Sequence, residues 1–62
     1  MSNLKTLSWE QISLNLNADT AILEIFIDGS LAAEISDCDD SHLNNNEFVE
    51  DILYGMGYEI IS

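Results

Sequence analysis

The sequence predicts a small two-layer α+β domain. A three-stranded antiparallel meander is covered on one face by a single C-terminal helix, and Tyr58 to Ile61 adds a short fourth strand or a docked tail, in the order β-β-β-α-β. Three observations carry this expectation. Apolar residues alternate with polar ones at Ile12, Leu14 and Leu16. A run rich in β-branched residues, Ala21 to Ile27, stops at Asp28-Gly29. Phe48, Val49, Ile52, Leu53 and Met56 recur at helical spacing. A chain of 62 residues has room for one domain, here residues 1–62.

Met1 to Leu7 reads as a leading arm or the start of a strand. Trp9 to Leu16 has a period of two and is expected to form the first strand, half-buried on its Ile12, Leu14 and Leu16 side. Asn17-Ala18-Asp19-Thr20 is a turn by composition. It places Leu14 opposite Leu23 and Ile12 opposite Ile25 in the second strand, Ala21 to Ile27. Glycine accepts positive φ without a Cβ clash, so Asp28-Gly29 signals a hairpin. A three-residue turn, Asp28-Gly29-Ser30, is preferred because it brings Leu31, Ala33 and Ile35 of the third strand onto the face of Ile25 and Ile27. A strict two-residue turn would mix the faces. The opposite face then carries Trp9, Gln11, Ser13, Asn15, Ile22, Glu24, Phe26, Ala32 and Glu34.

Ser36 to Asn46 is polar and acidic and reads as a loop. Asn44, followed three residues later by Glu47, resembles a capping box and starts a helix over Asn45 to Tyr54. The five apolar positions form one stripe of that helix, and Glu47, Glu50, Asp51 and Tyr54 form the other. Gly55 or Gly57 ends it in a left-handed cap.

Twelve residues are Asp or Glu, one (Lys5) is basic, and the net charge is −11. The chain is nonetheless 47% hydrophobic, which sets it apart from disordered acidic tails. Phosphate contacts need Lys or Arg, so direct binding of nucleic acid is disfavoured, as is binding to anionic membranes. The field instead favours a partner with a cationic surface. No apolar run approaches the ~20 residues of a membrane span. Cys38 stands alone, so no internal disulfide forms. A single thiol without a secretory leader fits a reducing cytosol, and a cytoplasmic location is expected.

Metal sites are not expected. A calcium loop starting at Asp37 would need glycine where His42 stands and glutamate where Phe48 stands. Cys38 and His42 are the only soft ligands, and structural zinc wants four. Carboxylates around Cys38 disfavour its thiolate. No cofactor and no catalytic constellation are evident: arginine is absent, and a chain this short leaves little room for a deep cleft.

The strongest candidate site is anionic. Residues three and four apart on a helix lie about 5–6 Å apart at Cβ. Glu47, Glu50 and Asp51 therefore cluster, and with Asp37, Asp39 and Asp40 of the preceding loop they are expected to form a continuous ridge. Tyr54 and Tyr58 flank its end, where an arginine of a partner would stack on a ring while its donors reach Glu50 or Asp51. The plain alternative is a solvated face that keeps a small domain soluble. A second candidate is the Trp9/Phe26 pair on the open sheet face, an aromatic hot spot for a partner or for a homodimer.

In size, acidity and want of chemistry the chain resembles phage-encoded inhibitors of DNA-handling or nuclease machinery, including some anti-CRISPR proteins and glycosylase inhibitors. The resemblance is one of composition and size. It implies a non-enzymatic inhibitor that occupies a basic nucleic-acid-binding site on a larger protein, a mimic of nucleic acid. The alternatives are a structural or adaptor module working through the Trp9/Phe26 face, and a precursor recognised at Tyr54 to Ser62.

Overall fold

The computed structural model describes residues 4–61. Met1 to Asn3 of the expected arm, and Ser62, lie outside the described residues. The elements are β1 (Lys5–Leu7), a 3₁₀ turn (Trp9–Gln11), β2 (Ile12–Asn17), β3 (Ile22–Ile27), β4 (Ser30–Ile35), α1 (Asp40–Leu43), α2 (Asn46–Gly55) and β5 (Tyr58–Ile60). The α+β class, the antiparallel meander, the C-terminal helix and the short last strand are all present.

The meander follows the sequence pattern with two adjustments of register. Leu14 pairs with Ile25, and Leu16 with Leu23, two residues away from the expected pairing. The cause lies in Asn17. It stays in β2, accepts the amide of Asp19 on its side-chain oxygen at 3.0 Å and the amide of Ala21 on its carbonyl at 2.8 Å, and so moves the turn one residue onward. A slip of two residues keeps every side chain on its face. Ala21 closes the turn at φ 57°, a left-handed conformation uncommon outside glycine, asparagine and aspartate.

The second turn corrects the expected three-residue loop. Ile27 pairs with Ser30 across Asp28-Gly29 alone, with φ of 52° and 83°. Two successive positive φ values match the twist of a hairpin. The faces would mix if the pairing then ran on regularly over all of β4. A bulge prevents this: Leu31 pairs with Phe26 and Ala33 with Ile25, and Ala32 is the extra residue between them. Ala33 and Ile35 therefore reach the core side as expected. Leu31 does not; it falls on the outer side and is 50% exposed. Gln11 secures the turn from β2's end, its carbonyl accepting the Asp28 amide at 2.8 Å and its side-chain Nε2 donating to the Asp28 carboxylate at 3.2 Å.

Trp9 to Gln11 is a 3₁₀ turn and not the start of the first strand. The Ser8 amide donates to Gln11 Oε1 at 3.1 Å, and the Gln11 amide to the Ser8 carbonyl at 3.0 Å, so the chain coils before β2 begins. The leading residues form their own strand. β1 pairs with β5 in parallel, Lys5 with Tyr58 and Leu7 with Ile60, so the C-terminal strand pairs with neither edge of the meander.

Ser36 to Asn46 is not wholly a loop. Asp39 caps the one-turn helix α1, its Oδ1 accepting the Ser41 amide at 3.0 Å. Asn44 ends α1, and the cap of α2 passes to Asn45, whose Oδ1 accepts the Phe48 amide at 3.1 Å. Thus two helices stand where one was expected. Gly57, at φ 100°, makes the left-handed exit; Gly55 is still helical.

Leu23 and Ile25 of β3 and Val49 and Leu53 of α2 are fully enclosed, and Leu7 of β1 and Cys38 complete this core. Phe48 and Ile52 pack around it. Met56, expected in the apolar stripe, follows the helix end and is 45% exposed.

Candidate functional site

The acidic face of α2 is built as the periodicity requires. Val49 and Leu53 turn into the core, which leaves Glu47, Glu50, Asp51 and Tyr54 exposed on the other side. β5 runs beside the second half of this helix. Between them lies a groove of about 220 Å³ lined by Glu50, Asp51 and Tyr54 of α2 and by Tyr58, Glu59 and Ile60 of β5. Three carboxylates from two elements therefore meet two phenol rings. Glu59 was not among the residues expected from sequence. The alternation Tyr58-Glu59-Ile60, with the two apolar residues half-buried and the glutamate exposed, is the signal that points to it.

The Asp39 region is a separate feature. Asp39 and Asp40 line a hollow with Leu16, Ala18, Ala21 and Cys38, at the end of the first hairpin, and share no lining residue with the α2–β5 groove. Asp37 is exposed in a left-handed conformation at φ 58° just before it, and Glu47 lines neither depression. Of the six carboxylates expected to form one ridge, Asp39 and Asp40 line the hollow and Glu50 and Asp51 line the groove, where Glu59 joins them as a seventh.

Asp39 is held below the usual carboxylate range. The hydroxyl of Ser41, 2.5 Å from Oδ1, contributes most, followed by the Ser41 amide and then His42. His42 Nδ1 accepts the Asp39 amide at 3.0 Å and lies 3.2 Å from Asp39 Oδ1. The ring lies against Phe48, centroids 4.6 Å apart. These contacts give His42 a structural task in fastening α1 to α2. This is the one approach of a basic side chain to a carboxylate within 4 Å among the described residues, so no cation of the described chain engages Glu50, Asp51 or Glu59.

The 3₁₀ turn directs Trp9 to the core, against which it packs, whereas Phe26 is not among the side chains surrounding that core. Cys38 is buried, with Sγ 3.7 Å from the Ser36 carbonyl. Among the described residues no three His, Cys, Asp or Glu side chains are placed to share a metal ion. No described helix is long and apolar enough to cross a membrane.

Comparison of the chain with protein-family models, with curated proteins and with solved structures gives no match.

Proposed function

We propose that the protein is a non-enzymatic, cytoplasmic inhibitor that occupies a basic nucleic-acid-binding site on a larger protein. The observation that carries this reading is the α2–β5 groove, where Glu50, Asp51 and Glu59 stand beside Tyr54 and Tyr58 with no cation of the described chain to neutralise them. An arginine is the side chain such a groove suits: its planar head stacks on a phenol ring while its donors reach two carboxylates. Surfaces that bind nucleic acid present arginines and lysines at the spacing of phosphates. A body of net charge −11 is drawn to them over a distance, and the helix face with Glu47 extends the anionic contact beyond the groove. Asp37, Asp39 and Asp40 would add a second, separate contact. Inhibition is by occupation, with no bond made or broken. A phage-encoded protein acting against a host defence nuclease is the setting in which such a mimic is useful.

The test is affinity capture from a lysate treated with nuclease, at low and at moderate salt. A basic nucleic-acid-binding protein should be retained at low salt and released as salt rises. Retention of a partner that lacks a basic surface, or one indifferent to salt, overturns the reading.

A further inference from the structure

On the outward face of the meander Leu31 and Glu34 are exposed and Ile22, Glu24 and Phe26 are half-buried, and the side chains are ordered in rows. Phe26 of β3 pairs with Leu31 of β4; the next row two residues along places Glu24 opposite Glu34; the row after that holds Ile22. Rows of this kind lie about 6.6–6.8 Å apart. None of Ile22, Phe26 and Leu31 is among the apolar side chains packed around the core. An apolar row, a carboxylate row and a second apolar position therefore follow one another on the face turned away from the core.

The carboxylate row is costly for the isolated protein, since like charges directly opposite on neighbouring strands repel. Asn15 Nδ2 donates to Glu24 Oε1 at 2.8 Å and satisfies one side of the pair. No side chain of the described residues pairs with Glu34, and Lys5 belongs to the other sheet. A cation supplied from outside would neutralise both glutamates at once.

We infer that this face docks an amphipathic helix of a partner protein that carries an arginine between two apolar side chains. A helix is the element that ordinarily covers an open sheet face. Side chains at i, i+4 and i+8 of a helix advance by about 6 Å per step, close to the row spacing, so apolar residues meet Phe26/Leu31 and Ile22 while the arginine at i+4 meets Glu24 and Glu34. A second copy of the chain is the wrong occupant. It would bring two such glutamate pairs together, with a charge of −11 on each body. The inference does not depend on what fills the α2–β5 groove.

The experiment titrates the ¹⁵N-labelled full chain with a synthetic 16-residue helical peptide bearing leucine at i and i+8 and arginine at i+4. A scrambled peptide of the same composition serves as control. Saturable shifts at Ile22, Glu24, Phe26, Leu31 and Glu34 are expected, with binding at least tenfold weaker for the scrambled peptide. Glu34→Gln should lower the peptide's affinity about tenfold and, by removing the repulsion, raise the melting temperature of the free protein by a few degrees. Leu31→Ser, at an exposed position, should also weaken binding without unfolding the chain. Equal binding of the scrambled peptide, shifts confined to α2 and β5, absence of binding, or self-association that buries the face would each overturn the inference.

Discussion

Ala33 stands opposite Ile25, although Ile27 and Ser30 are joined by a two-residue turn; Ala32 is the residue that makes both true. The bulge absorbs one surplus residue, so the core face of β4 is independent of the turn that precedes it. Removing Ala32 should then leave a regular hairpin with Leu31 still opposite Phe26 and Ala33 still opposite Ile25. The deletion variant is expected to fold, with a stability within about 1 kcal/mol of the parent. Had the turn contained three residues, the same deletion would carry Ala33 and Ile35 to the solvent side and unfold the chain. Urea denaturation of the deletion variant distinguishes the two.

Local patterning in the chain leaves such a bulge open. Alternation fixes which residues of β2 and β3 face the core, because a period of two has only two phases and one of them is apolar. It cannot fix register to better than two residues, and a side-chain hydrogen bond at Asn17 decided it. The 3₁₀ turn escaped because Trp9, Gln11 and Ser13 continue the alternation in form while Gln11 is engaged with Ser8. The β1–β5 pairing escaped because it joins two three-residue strands from opposite ends of the chain. At the candidate site, helical periodicity yielded Glu47, Glu50, Asp51 and Tyr54. The groove and Glu59 needed that end-to-end pairing, which no local pattern encodes.

Two turn residues test backbone strain in opposite directions. Ala21 holds φ 57° and Gly29 holds φ 83°. Ala21→Gly should relieve a left-handed alanine and raise stability by ~0.5–1 kcal/mol, whereas Gly29→Ala should lower it by about 1 kcal/mol. Nothing lies within 4 Å of a Cβ built on Gly29, so its cost is conformational and not steric. Thermal melts followed by circular dichroism read both.

Leu53 is fully enclosed and Met56 is 45% exposed, although both belong to the same apolar spacing. Leu53→Ala should cost about 2–5 kcal/mol. A domain of this length has roughly 3–9 kcal/mol in all, so the variant should be largely unfolded at 37 °C. Met56→Gln should change stability by less than about 0.5 kcal/mol.

Asp39 gives the helix α1 a dependence on acid. Its folded-state value lies below that of an unfolded aspartate, so its contribution is complete above the unfolded value and is lost as pH falls through the folded one. The Ser41 amide, bonded to Oδ1, should lose protection from exchange below the usual carboxylate range while amides of the core strands keep theirs. Asp39→Asn keeps an acceptor and removes the charge, so the acid dependence at Ser41 should disappear.

If, as proposed, the carboxylates of the α2–β5 groove replace phosphates on a basic protein surface, reversing their charge should break the contact. The most direct measurement is the affinity of that protein for the parent chain and for a Glu50→Lys, Asp51→Lys, Glu59→Lys variant, with the protein's own nucleic acid as competitor. All three side chains are exposed, so the variant should fold. A loss of about 100-fold or more is expected, together with mutual exclusion between the parent chain and the nucleic acid. An affinity that survives the three reversals, or a complex that holds this chain and the nucleic acid at the same time, would overturn the proposal.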